Sequence, residues 1–282
     1  ISANYRSAIL AGGHTANAAY WFDDKSGKWI SGNYYMNEIP LWVTNFNNKL
    51  LPDLYLKNEW NTLLPLEQYT ESLADDNKYE LGFGKGKNIF PHNLPKLFKN
   101  QSDYKLLLQT PYGNSFVKDF ALETIIKMEL GKDDDTDVLL LTFSSFAEIE
   151  AIFGSESVEL EDAYLRFDNE IEHLLNFIDT QIGRENALIF VTSDCNSMPN
   201  QEYLSDNKFP VNTFNASNCT VLLKAYLNAI YGAGDWVQKY DNKQVYLNQP
   251  LIEDAGLSKK EVREKTVQLQ IKMRGIAKEI SA

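Results

Sequence analysis

Asp137-Val-Leu-Leu-Leu-Thr-Phe143 and Ala187-Leu-Ile-Phe-Val-Thr-Ser193 are the two runs that decide the fold. Each is short and continuously apolar, the pattern of a strand buried on both faces. Between them a helical stripe runs from about Glu156 to Ile182: Val158, Leu160, Tyr164, Leu165, Phe167, Ile171, Leu174, Leu175, Ile178 and Ile182. Gly183 is placed to end that helix. Strand, helix and strand make one βαβ unit, so the chain reads as α/β. Open sheets of this class bind ligands beyond the carboxyl ends of their strands. Two loops lie there: Ser144 to Ala151, and Asp194-Cys195-Asn196-Ser197.

Working outward, the chain has 282 residues, 44% hydrophobic, with 15 Tyr, 15 Phe and 5 Trp. That is ample for a large core and argues against disorder. The net charge of -12 argues against binding nucleic acid or an anionic membrane, both of which need an extended basic face. Two cysteines, Cys195 and Cys219, form no metal-binding spacing and leave a single disulfide open. No apolar run is long enough to span a membrane. No leader is visible, and the sequence opens at Ile1, as a processed or truncated chain would.

Ser7-Ala-Ile-Leu10 reads as a short strand before Gly12-Gly13, and the stretch from His14 to Ser31 as a β-hairpin turning at Asp23 to Lys28. His14 reads as a local hydrogen-bonding residue. A helix is predicted from Pro40 to Lys49. Residues 34–112 form a loop-rich cap inserted in the fold, and Gly82-Phe-Gly-Lys-Gly-Lys87 within it is a surface loop, lacking a P-loop ending. Ser115 to Leu130 reads as a helix. Asp133 to Asp137 is an acidic connection without the features of an EF-hand. His173 reads as a surface imidazole among carboxylates. Beyond Ser197 the pattern predicts a helix over Thr220–Tyr231, a strand over Gln244–Leu247 and a helix from Ser258, where Ser258 and Glu261 have capping-box spacing.

The wording of several stretches is distinctive. Ala8-Ile-Leu-Ala-Gly-Gly-His-Thr-Ala-Asn-Ala-Ala-Tyr-Trp-Phe-Asp-Asp24, Tyr34 to Val43, Tyr69-Thr-Glu-Ser-Leu73, Phe90-Pro-His92, Thr110 to Asn114, Asp162 to Asp168 and Val245 to Asn248 resemble the phosphate-irrepressible, PafA-type alkaline phosphatases of Bacteroidota. The likeness spans nearly the whole chain, which is taken as a single, partial alkaline phosphatase-like domain over residues 1–282. It implies a mainly parallel sheet flanked by helices, with two zinc ions at the strand ends activating a Thr nucleophile.

The resemblance also assigns site positions. Two ligands of one zinc fall on Ala147 and Ala151, and a methyl group donates no lone pair. An Asp-His pair for the second zinc falls on Asp194 and Cys195, of which Asp194 is kept and Cys195 is a conceivable thiolate ligand. A Lys-x-Arg pair that contacts phosphate falls on Asn4 and Arg6. The family's nucleophile, an Asp ligand, a phosphate-contacting Asn and a last His would lie outside residues 1–282, so the chain resembles an internal portion of the family.

Three functions follow as expectations. The first is a catalytically inactive relative with a scaffold or binding role, as a subunit of a cell-envelope assembly, holding no zinc. The second is a phosphomonoesterase or phosphodiesterase with an altered site, using a residual zinc at Asp194 and Cys195 helped by Glu148 or Glu150. The third binds phosphorylated glycans or nucleotides through Arg6 and the aromatic cap. The family setting implies export to the periplasm or cell surface.

Overall fold

The computed structural model describes residues 1–84, 88–193, 197–211 and 214–276. The chain forms two compact units, Ile1–Tyr203 and Leu204–Ala282.

The first unit opens with a helix, α1 (Tyr5–Gly12), where the sequence suggested a strand over Ser7–Leu10. The apolar run alone is ambiguous, and the ends decide it. The Asn4 side chain accepts from the Arg6 amide at 2.9 Å, and Gly13 closes the helix at a φ of 57°. The expected hairpin follows as β1 (Trp21–Asp23) and β2 (Lys28–Ile30), paired antiparallel. Gly27 turns it at a φ of 70°, and a Cβ there would lie 2.6 Å from the Tyr104 ring. Only glycine meets both conditions.

Residues 34–112 carry α2 (Leu41–Asn47), α3 (Leu51–Tyr55), α4 (Leu94–Phe98) and α5 (Lys105–Leu108). This region does not merely decorate the fold. Its Val43, Phe46, Leu56, Trp60, Leu94, Leu106 and Leu107 are buried in the same core as the hairpin. Through that core runs α6 (Tyr112–Lys127), whose Phe116 and Phe120 stack on Trp29 at ring separations of 5.1 and 4.3 Å. Each such aromatic removes roughly 1.5–3 kcal/mol worth of apolar surface from water. Two further helices, α7 (Ser145–Phe153) and α8 (Val158–Gln181), close the unit. Ser157 caps α8 by accepting from the Leu160 amide.

The two apolar runs do not form strands. Val138 is 78% exposed, and Leu188, Phe190 and Val191 are 80% exposed or more. Among the described residues the ladders are antiparallel hairpins, and parallel pairing is confined to bridges of Ser2 with Trp21 and with Thr142. A doubly buried strand needs neighbours on both sides. Here residues 1–2 supply one short neighbour to 140–142, while 188–192 join no sheet.

A short helix, α9 (Gln201–Asp206), comes next in the chain. The second unit is built from α10 (Ala216–Tyr231), the hairpin β3 (Val237–Asp241) and β4 (Gln244–Leu247), α11 (Gln249–Asp254) and α12 (Lys259–Gln270). Leu223, Leu227, Trp236, Val237, Leu247, Ile252 and Val262 form its core. The capping box is not made: Ser258 gives α12 no side-chain cap, and Glu261 accepts instead from the Tyr231 hydroxyl at 3.2 Å. Cys219 is buried on α10 beside Gln270, while Cys195 lies outside the described residues.

Candidate functional site

Ser2 organises the edge where the sequence places chemistry. Its amide donates to the Tyr20 carbonyl at 3.1 Å, the Thr142 amide donates to the Ile1 carbonyl at 3.0 Å, and the Ile1 nitrogen donates to Leu140 at 2.8 Å. Residues 1–2 and 140–142 therefore run side by side in parallel. Each enters a helix three residues after the bridge, at Tyr5 and at Ser145. Asn4 and Arg6 thus leave the same edge as Ala147 and Ala151, the arrangement a strand-end site requires.

Two of the positions at that edge to which the resemblance assigns zinc ligands carry alanine. Ser144–Ala151 is not a loop but the first turns of α7, and it carries Ala147 and Ala151 one turn apart, both exposed. Alanine offers no donor atom, so these two positions do not fit a zinc ion. Of the adjacent carboxylates, Glu150 is engaged by the Met198 amide at 3.3 Å. Asn4 spends its side chain capping α1, and the Arg6 guanidinium lies 4.9 Å from the Tyr5 ring centroid, in the open. Among the described residues no group of three His, Cys, Asp or Glu side chains is placed to hold a metal. Asp194 and Cys195 lie outside the described residues. His14 bonds Tyr34 at 3.1 Å, and His173 is exposed.

A second constellation was not assigned any chemistry from the sequence. Asp162, fully buried on α8, accepts from Trp60 Nε1 at 2.7 Å, Tyr69 Oη at 2.6 Å, the Leu63 amide at 2.7 Å and Arg166 Nε at 2.6 Å. Burial, and then the bond to Asp162, push the Tyr69 hydroxyl up to about 12. One turn earlier, Glu159 Oε1 meets His92 Nε2 at 2.7 Å. Burial drives Glu159 up to about 9 and His92 down to about 4. Both shifts disfavour the charged forms of this buried pair. His92 also exchanges two backbone bonds with Trp60, each 2.9 Å. Tyr69, His92, Asp162 and Arg166 all lie in stretches that carry the family resemblance. What sequence reading lacked was their convergence, which spans about a hundred residues of chain between Leu63 and Asp162.

Two parallel segments entering helices at one edge accord with an α/β reading. Residues 3–279 match the family described as Type I phosphodiesterase / nucleotide pyrophosphatase, and the chain belongs to that family. It is 38% identical over 275 residues to a protein of Myroides odoratus named calcium-transporting ATPase, covering 96% of this chain and 50% of the relative. It is 37% identical to alkaline phosphatase PhoV of Synechococcus elongatus, covering 98% of this chain and 50% of the relative. It is 35% identical to alkaline phosphatase PafA of Elizabethkingia meningoseptica, covering 94% of this chain and 48% of the relative. The crystal structure of wild-type PafA superimposes with a TM-score of 0.89 at 33% identity, over 97% of this chain and 52% of that one. The chain spans about half the length of the curated relatives it matches. Among the described residues, no helix is long and apolar enough to cross a membrane.

Proposed function

We propose that this chain is a catalytically inactive, alkaline phosphatase-like protein with a scaffold or binding role, exported and acting as a subunit of a cell-envelope assembly. The observation that carries the reading is the pair of alanines, Ala147 and Ala151, exposed one turn apart on α7 where the resemblance calls for zinc ligands. A catalytic zinc ordinarily has three protein ligands, and losing two removes the site. Asn4, at the position of a phosphate-binding Lys, adds to the loss, since electrostatic stabilisation of a transferring phosphoryl group needs fixed positive charge. The envelope setting rests on the family resemblance alone.

The purified chain should hold less than one equivalent of zinc and leave p-nitrophenyl phosphate and its bis-ester intact. Stoichiometric zinc, with turnover that a chelator abolishes, would establish the second reading, an active hydrolase with an altered site. The names of the PhoV and PafA relatives favour that second reading.

A further inference from the structure

The strap Leu73–Leu81 crosses the corner between α7 and α8, held at its ends by two backbone bonds: Leu73 N to Glu156 O at 2.7 Å and Leu81 N to Ile152 O at 2.9 Å. Two carboxyl groups are buried here, Glu80 on the strap and Glu159 on α8, with Glu80 in the field of Glu159. Each has one oxygen engaged: Asn77 Nδ2 donates to Glu80 Oε1, and His92 meets Glu159 Oε1. Each has a second oxygen, Oε2, that is buried with no partner among the described residues. Two buried carboxylates so placed, each short of a donor, are a costly arrangement unless protons neutralise them.

The described groups whose charge raises these two carboxyls are acidic. Asp75 and Asp76 come from the strap itself, and Asp162 stands one turn along α8, where Arg166 pairs with it. His92, the basic group in direct contact, is kept neutral by its burial. Above the corner, Phe83, Phe90 and His92 pack on or near Phe153 at the end of α7, with ring separations of 5.0 Å for Phe83 and 5.2 Å for His92.

We infer that Glu80, Glu159 and His92 form a proton-dependent latch: the strap stays closed while both carboxyl groups are protonated and is released from the α7–α8 corner as alkaline pH removes those protons. Burial is the first cause of both shifts, raising Glu80 to about 8 and Glu159 to about 9, which sets the window. In the open form both groups ionise near 4.5, the ordinary value. Opening is therefore favoured by about tenfold per pH unit for each carboxyl it exposes, up to the closed-state value and no further.

The test is hydrogen exchange of the Leu73 and Leu81 amides in the whole chain, with α6 amides as the reference. Protection of the strap amides should fall about hundredfold per pH unit between pH 6.5 and 8, then about tenfold per unit to pH 9, then level off, while staying below that of α6 at every pH. Glu80→Gln should halve the logarithmic slope below pH 8, Glu159→Gln should do the same, and the double variant should be flat. An unchanged slope in Glu80→Gln would overturn the latch, and so would strap protection equal to that of α6 at every pH, the mark of exchange by global unfolding alone. If Glu159→Gln does not fold, Glu80→Gln decides the matter alone.

Discussion

Replacing Asp162 with Ala should be among the most damaging single changes in the first unit. The carboxylate accepts four hydrogen bonds, from Trp60, Tyr69, Leu63 and Arg166. Bonds to a charged group are worth about 1.5–3 kcal/mol each, and they do not add in full. The greater cost comes from the partners left behind. Trp60 is fully buried, so its indole N–H would have no acceptor and no water. Arg166 is mostly buried and would lose its carboxylate. Breaking a buried pair from one side costs about 3–5 kcal/mol. Against this, Ala improves helix propensity in α8 by about 0.7 kcal/mol at most. A net loss of about 3–4 kcal/mol is a large share of the 5–15 kcal/mol typical of a folded domain. Urea unfolding followed by tryptophan emission would register it, because Trp21, Trp29, Trp42 and Trp60 all lie in the first unit. With a slope of about 2 kcal/mol per molar urea, the midpoint should drop by about 1.5–2 M. Asp162→Asn keeps one acceptor and should lose less. A drop below about 0.5 M for Asp162→Ala would refute the view that this carboxylate is a hub.

Phe120→Ala removes a ring stacked on Trp29 and Trp42 and should cost about 3–5 kcal/mol in the same assay. Gly27→Ala should cost about 1–3 kcal/mol from its left-handed φ and the Tyr104 ring; a Tyr104→Ala background should recover the steric part only, which a double-mutant cycle would read. Between pH 4.5 and 6.5 the depressed His92 makes stability rise with pH, while the raised Glu80 and Glu159 make it fall. The net fall should steepen by about 1.4 kcal/mol per pH unit in His92→Gln, as chemical denaturation at several pH values would show. Ala147→Asp with Ala151→His lies on an exposed helix face and should change stability by less than about 0.5 kcal/mol. If the assigned register of the site is right, calorimetry should show zinc binding at least about tenfold tighter than in the parent chain.

The helices of the first unit were largely legible, because long periodic stripes and their caps are local signals. The 158–181 stripe became α8, and Trp21 to Ile30 became the hairpin. What misled was the short apolar run. Ser7–Leu10 has no period long enough to choose between strand and helix, and Asn4 with Gly13 settles it only through cap geometry. The runs at 137–143 and 187–193 carry strand composition, yet a strand exists only where a neighbour supplies its hydrogen bonds, and that is not encoded in the run. Residues 34–112 looked like a cap because they are rich in Asn, Lys, Gly and Pro, while their Trp60, Leu94 and Leu106 sit in the core. At the site, the alanines were readable from the resemblance. The Asp162 and Glu159 assemblies were not, since their partners come from Trp60, Tyr69 and His92, far away in sequence.

The exposure of Val138, Leu140 and Leu188 to Val191 has a consequence for handling the protein. Leu-Ile-Phe-Val is uncharged and free of proline, so two molecules meeting there gain both backbone bonds and apolar burial, the ingredients of edge-to-edge aggregation. Loss of soluble protein on concentration should follow these few residues more than the overall acidity of the chain. A lysine at Leu188 or Val191 should raise the usable concentration while leaving both cores as they are.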